Sequence, residues 1–360
     1  MRNESFLGVF HFGPPSHGAS MVGDQVVKLV EKHFQSFFFY NLSSSSTVED
    51  IGGLNFYKFF NIFKLYFAVV FRLFVFRPKV VYFTPALNGF AIYRDFIFLF
   101  IFSFYRFLFG AKIICHIHML PAKLMSNSFL KIIWTYITAE FTILCLTESL
   151  RENFLVLKNK NVVVFSNCLF IEDSAFIEDS VRKPKRWSSY SSYSHRLIFI
   201  GHLMESKGFF RFLSLIPKYP DCQFVILGKT VGENSHRSLN EVIEEYGDRV
   251  EYHGFISGVE KFRVLSSCDL YILPSFSEAQ PLTIIESLYC GVPILATNVG
   301  GIPDMVNQTV GASCSFEQFD EYLPRLLNAG KISYSESCVK MFNDNYTLEK
   351  FEANFVKVFC

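Results

Sequence analysis

Glu278 and Glu286 bracket the segment Ala279-Gln280-Pro281-Leu282-Thr283-Ile284-Ile285, whose residue types suit a ligand carrying both hydroxyls and phosphate. The apolar run Leu270 to Leu273 ends at Pro274 and reads as a buried strand. A helix is expected to open at Pro281 and stop at Gly291, with Pro293 beyond, because proline inside the start and glycine past the end punctuate a helix. Glu278 then stands in the loop leaving the strand and Glu286 inside the helix, with the unpaired N–H groups of the first turn between them. Such a terminus offers donors and a partial positive charge, and it can hold a diphosphate without a metal. Both carboxylates would repel phosphate but accept well from neutral vicinal hydroxyls, which suits Glu278 to a sugar ring and Glu286 to a ribose. Two ordinary surface glutamates on an amphipathic helix would show the same spacing.

A cation is placed by the run Gly201-His202-Leu203-Met204-Glu205-Ser206-Lys207-Gly208, which follows the apolar stretch Arg196 to Ile200 and leads into a helix. A lysine at such a turn can set a point charge against a diphosphate and stabilise it as a leaving group. In the first half, Gly13-Pro14-Pro15-Ser16-His17-Gly18-Ala19-Ser20 is a loop of small residues between the run Phe6 to Phe12 and a helix expected near Ser20. At the carboxyl end of a first strand such a loop lets a ligand approach the backbone closely. It is not a Gly-x-Gly-x-x-Gly fingerprint, which argues against a dinucleotide. His116 and His118 alternate with Ile117, so both are expected on one face at the carboxyl end of the fourth strand, where ligands bind; His11 shares that edge position on the first strand.

The elements that must position these residues follow from the pattern. Short apolar runs at Phe6–Phe12, Gln35–Tyr40, Val80–Thr84, Lys112–His118, Phe141–Leu146 and Val162–Phe165 alternate with helical stretches, which predicts a parallel sheet covered on both faces. Residues 179–195 are charged and serine-rich without apolar period and read as a linker. Beyond it, Arg196–Ile200, Gln223–Leu227, Arg249–His253 and Leu270–Leu273 read as strands of a second domain, and the chain after Asp304 reads as helical. Thr147 or Ser149 suits a helix cap, and Thr347 to Phe359 carries an amphipathic pattern.

Length and composition bound the rest. A chain of 360 residues holds two ordinary domains, and its formal net charge of +1 gives no basis for nucleic-acid binding. Nine scattered cysteines without a Cys-x-x-Cys pair build neither a zinc site nor a small disulfide framework. The run Phe6 to Phe12 is too short for a signal-peptide core, so a reducing cytoplasm with free thiols is expected. Phenylalanine is in excess at 44 residues, but the greasy stretch Phe96 to Phe109 falls short of the roughly 20 residues of a membrane span. Leu54 to Lys79 mixes phenylalanine with Lys58, Lys64, Arg72, Arg77 and Lys79 and has no acidic residue, which suits anionic lipid headgroups at a membrane surface; core helices filled with phenylalanine would read the same.

The segment from Glu278 to Glu286, followed by Gly291-Val-Pro and Gly300-Gly301-Ile-Pro-Asp304, resembles the signature of retaining glycosyltransferases of family 4, which have the GT-B fold. The resemblance implies an α/β protein of two doubly wound Rossmann-like domains facing a central cleft. They would be an acceptor-binding domain over 1–178 and a nucleotide-sugar domain over 196–344, with a last helix over 345–360 crossing back to the first. It implies transfer of a sugar from a nucleotide diphosphate sugar to a glycan or lipid-linked glycan acceptor, with retention, as in bacterial surface polysaccharide assembly at the inner face of the cytoplasmic membrane. Glu278, Lys207 and His118 would act on the donor sugar and its leaving group. Glu286 would hold the ribose, Ala279 to Thr283 the diphosphate side, Gly254 and Phe255 the nucleobase, and Gly13, His17 and Gly18 the diphosphate and acceptor. Where the family commonly has arginine this chain has His202, which leaves the second phosphate contact open. No Asp-x-Asp occurs, so no metal or other cofactor is expected. A related enzyme such as a nucleotide-sugar epimerase, or a non-catalytic binder of sugar nucleotides, would share these motifs.

Overall fold

The computed structural model describes residues 2–14, 18–42, 56–169 and 193–360. The chain divides into two compact units, Met1–Asn167 with Phe351–Cys360, and Cys168–Lys350. Pro15, Ser16, His17 and the expected linker up to residue 192 lie outside the described residues.

In the first unit the apolar runs form six strands, β1 (Arg2–Phe10), β2 (Phe34–Asn41), β3 (Val80–Phe83), β4 (Lys112–Ile117), β5 (Thr142–Cys145) and β6 (Asn161–Val164). They alternate with helices α1 (Gly18–His33), α2 (Phe56–Phe76), α3 (Ala91–Phe109), α4 (Ala122–Ser126), α5 (Ser128–Ile137) and α6 (Glu148–Val156). All pairings are parallel, in the order β2-β1-β3-β4-β5-β6. Runs such as Val80-Val-Tyr-Phe are buried on both faces, which is why they read as continuous rather than alternating apolar stretches. Asn127 and Thr147 cap α5 and α6, their side chains accepting from the N–H groups of Leu130 and Leu150. The step β1 to β2 runs one way along the sheet and the later steps run the other. Right-handed crossovers therefore put α2, α3 and α5 on one face and α1 on the opposite face.

The second unit repeats the scheme. Strands β7 (His195–Ile200), β8 (Cys222–Leu227), β9 (Val250–Tyr252), β10 (Leu270–Leu273), β11 (Ile294–Thr297) and β12 (Gly311–Cys314) pair in parallel as β12-β11-β10-β7-β8-β9. The helices are α7 (Phe209–Leu213), α8 (Glu233–Tyr246), α9 (Gly258–Ser266), α10 (Leu282–Tyr289), α11 (Ile302–Met305), α12 (Phe319–Ala329), α13 (Ile332–Asn345) and α14 (Leu348–Phe359). Alternation along each strand feeds two cores, Ile198, Tyr271 and Ile294 on one side and Leu197, Ile272 and Leu295 on the other. β12 was not anticipated, because Gly-Ala-Ser-Cys has weak strand propensity and the chain past Asp304 was expected to be helical. It forms because Gly311, at φ 148°, lets β12 approach β11 so closely that a Cβ there would lie 1.9 Å from the Ile294 carbonyl oxygen.

From Phe351 on, α14 belongs to the first unit rather than the second. Phe359 packs against Phe6, Tyr82 and Phe165 at ring-centroid distances of 6.2, 5.5 and 6.2 Å, and Glu352 accepts from Lys32 and His33 at 2.7 and 2.8 Å. Truncating so buried an aromatic leaves a cavity as well as losing transfer energy. Phe359→Ala should therefore destabilise the first unit by roughly 3 kcal/mol, whereas the exposed Phe67→Ala should change it by less than about 0.5 kcal/mol, both read by chemical denaturation.

Candidate active site

Because the strands of the second unit are parallel, the loops after β7, β8, β9, β10 and β11 leave the same edge of the sheet. The strand order reverses between β7 and β10, the kind of point at which open α/β sheets bind ligands between diverging loops. The Lys207 and Glu278 loops flank that reversal. Lys207 Nζ donates to Glu278 Oε1 at 2.8 Å, and the hydroxyl of Ser275 donates to the same oxygen at 2.9 Å.

Backbone contacts hold the two loops in register. Phe276 N–H donates to the Ser206 carbonyl at 3.0 Å, and a Cβ on Gly208, at φ 74°, would fall 2.0 Å from the Pro274 carbonyl oxygen, so glycine is required there. The Gly300-Gly301 turn joins them, Gly301 N–H donating to the Glu278 carbonyl at 3.2 Å. Glu278 is thus buried, with one oxygen engaged by Lys207 and Ser275 and Oε2 able to accept from a ligand. Lys207 has three N–H bonds and gives one of them to Glu278.

Pro281 was expected as the first helical residue; it instead occupies the N-cap position at φ −69° and ψ 123°, an extended conformation, and α10 begins at Leu282. A proline cap has no side-chain acceptor, so the first-turn N–H groups of Leu282 and Thr283 receive no side-chain cap from it. Ala279 is half-buried, Gln280 and Pro281 are buried, and Thr283 Oγ1 accepts from the Tyr271 hydroxyl at 2.6 Å.

Glu286 is buried one turn further along α10, paired through Oε1 with Lys261 Nζ of α9 at 2.6 Å. Its Oε2 is buried and has no hydrogen-bond partner among the described residues, an acceptor whose desolvation they leave uncompensated. Lys261, Ser275 and Tyr271 were not anticipated as parts of the site. Lys261 lies 25 residues from its partner on a different helix, a distance no local spacing rule reaches.

His202 stands after β7 with its imidazole pulled below the ordinary 6.5 by burial, by Lys207 and by Lys229, and is therefore neutral at pH 7. Gly254, at φ 66°, and the exposed Phe255 follow β9, with Lys229 Nζ 5.7 Å from the Phe255 ring centroid.

In the first unit the strand order reverses between β1 and β3. Gly13 leaves β1 beside that point and donates its N–H to Asp24 Oδ1 of α1 at 3.0 Å, while Gly18 is the first residue of α1, two positions earlier than expected. His11 reaches across to Thr84 Oγ1 at 3.4 Å. His118 is half-buried just past β4, its ring 4.0 Å from that of His116. His116 departs from the expectation of an open edge: it is fully buried, hydrogen-bonded to the Tyr82 hydroxyl at 2.8 Å and held neutral by desolvation and by His118.

This architecture is shared with solved proteins over nearly the whole chain. Sucrose-phosphate synthase from Thermosynechococcus elongatus superposes with a TM-score of 0.72 at 12% identity, covering 99% of this chain and 98% of that one. Anabaena HepE in complex with UDP-glucose superposes at 0.67 and 14%, covering 99% of each. The fold is therefore GT-B, built from two parallel six-stranded sheets. Within it, residues 186–340 match the model of the family described as glycosyl transferases group 1. The gpi3 subunit of phosphatidylinositol N-acetylglucosaminyltransferase from Schizosaccharomyces pombe is 29% identical over 173 residues, which are 46% of this chain and 35% of that protein. The chain thus spans about a third of the length of that curated relative.

The depressed imidazole values set a direction with pH. The unfolded chain takes up a proton as pH falls through 6.5 where the folded His202 and His116 sites resist it, so stability is full above that pH and declines below it. Denaturation at pH ~7.5 and ~5.5 should show that loss, and His202→Asn should make it shallower.

Proposed function

We propose that this chain is a retaining, metal-independent glycosyltransferase that moves a glycosyl group from a nucleoside diphosphate sugar to an acceptor hydroxyl. The observation that carries the reading is the 2.8 Å contact of Lys207 with Glu278 at the strand-order reversal, beside the uncapped N-terminus of α10. A diphosphate at that terminus meets the Leu282 and Thr283 N–H groups and the remaining Lys207 protons, so charge that develops on the leaving group as its bond to the anomeric carbon breaks is met by fixed donors. Glu278 Oε2 accepts from hydroxyls of the donor sugar. The unpartnered Oε2 of Glu286 accepts from a ribose hydroxyl, which relieves a buried acceptor the apo chain leaves unsatisfied. His202, neutral here, donates or accepts a hydrogen bond at the phosphate edge but adds no charge. Gly254 and Phe255 border the base.

Among the described residues we assign no pair of carboxylates as nucleophile and acid. The acceptor oxygen attacks on the face the diphosphate leaves, forming the new C–O bond as the old one breaks, and its proton passes to the departing phosphate oxygen. The donor class is supported by the UDP-glucose held in HepE, and a lipid-linked acceptor by the phosphatidylinositol in the name of the yeast relative. His118 and the Gly13 and Gly18 positions of the first unit serve the donor sugar and acceptor in this reading. It places the chain in surface polysaccharide or glycolipid assembly at the cytoplasmic membrane.

Lys207→Ala should lower turnover about a hundredfold, the cost of removing one leaving-group donor, while chelation of divalent cations should leave turnover unchanged. Activity lost on chelation and restored by magnesium would contradict the metal-free assignment. Glu286→Gln, which keeps a neutral partner for Lys261, should weaken nucleoside diphosphate binding about tenfold by calorimetry. Unchanged affinity would remove the ribose assignment.

A further inference from the structure

The helices on one face of the first unit are amphipathic in reverse. On α2, Phe60, Phe67, Phe71 and Phe74 recur at helical spacing and are 42–76% exposed, while Val69 and Leu73 of the same helix are buried. On α3, Ile97, Phe100, Phe104 and Phe107 are 49–83% exposed, opposite the buried stripe of Phe98, Leu99 and Phe102. α5 continues the pattern with Phe129, Ile132 and Tyr136 exposed and Leu130 and Trp134 buried. Tyr66 of α2 lies 4.6 Å from Phe98, and Phe96 of α3 lies 6.3 Å from Trp134, so the three helices are neighbours and their outward stripes form one apolar surface. Isolated exposed apolar residues need no explanation, but a contiguous face across three helices marks an interaction site.

Charge identifies the occupant. Lys64, Arg77 and Lys79 are exposed on and beside α2, and Lys123 lies with its Nζ 4.5 Å from the Tyr93 ring at the start of α3. Among the described residues of α2, α3 and α5 the acidic side chain is Asp95, buried and bound to Arg94 at 2.6 Å; the nearby Glu140 is held by Lys160 at 2.6 Å. A second copy of this face would set cations against cations across a two-fold axis. Among the described residues no helix is long and apolar enough to cross a membrane, so the aromatic rings can enter only the headgroup and upper acyl region.

We propose that the α2–α3–α5 face of the first unit seats on an anionic phospholipid surface, the phenylalanines entering the interface and the lysines and arginines meeting the headgroups. This inference stands apart from the donor reading, because it uses the surface of the first unit alone and its test reads no turnover.

Flotation of the full chain with vesicles of phosphatidylcholine alone, and of phosphatidylcholine with phosphatidylglycerol in equal parts, decides it. The chain should float with the mixed vesicles and bind phosphatidylcholine about tenfold more weakly, and added salt should narrow the difference. Phe67→Ser with Phe100→Ser and Phe104→Ser should abolish flotation at an unchanged thermal midpoint. Lys64→Glu with Arg77→Glu and Lys79→Glu should remove the preference for phosphatidylglycerol. Equal binding to both vesicle types, flotation that survives the serine variant, or a dimer of the wild-type chain in vesicle-free solution that the serine variant converts to monomer would each overturn the proposal.

Discussion

A lysine and a glutamate 71 residues apart meet at 2.8 Å because the loops that carry them leave the same edge of a parallel sheet on either side of its strand-order reversal. Most of the second unit serves that meeting. Strands β7 and β10 pair directly, so the loops they release start side by side. Gly208 lets the Lys207 turn touch the Pro274 carbonyl, where any Cβ would collide. Thr297 of β11 donates to the Ser275 carbonyl at 2.5 Å, which ties the Glu278 loop to the next strand. Residues that look remote from the chemistry therefore fix the separation of an ammonium and a carboxylate to within a hydrogen bond.

The pairing also resolves a tension between the charges. A carboxylate beside a phosphate is repulsive unless a cation stands between them, and in the proposed reading Lys207 takes that place. Glu286 is paired in the same way with Lys261, its second oxygen left as a buried acceptor without a partner among the described residues. A buried acceptor left unsatisfied in this way is one that ligand hydroxyls can complete. His202 fits the scheme because two lysines and burial already keep it neutral.

Much of the fold was legible in the sequence for a physical reason. Strands buried on both faces leave uninterrupted runs such as Leu270 to Leu273, and a proline–glycine frame marks α10 to within one residue. What escaped was non-local or weakly written. β12 is made of small residues and exists through its close approach to β11. Lys261 finds Glu286 by helix packing. His116, which alternation placed on the ligand edge together with His118, is sealed by Tyr82 and the Phe165 ring. The abundance of phenylalanine could be counted but not assigned, because helical spacing alone cannot tell an inward stripe from an outward one; α2 and α3 carry both.

The central claim is that peptide N–H groups and one lysine grip a diphosphate while the glutamates keep to neutral hydroxyls. A crystal structure with an intact or slowly reacting nucleoside diphosphate sugar measures it most directly. The account predicts phosphate oxygens within hydrogen-bond distance of the Leu282 and Thr283 nitrogens and of Lys207 Nζ, with the Glu278 carboxylate on the sugar. A diphosphate bound elsewhere, or bridged to the chain by a divalent cation, would contradict it.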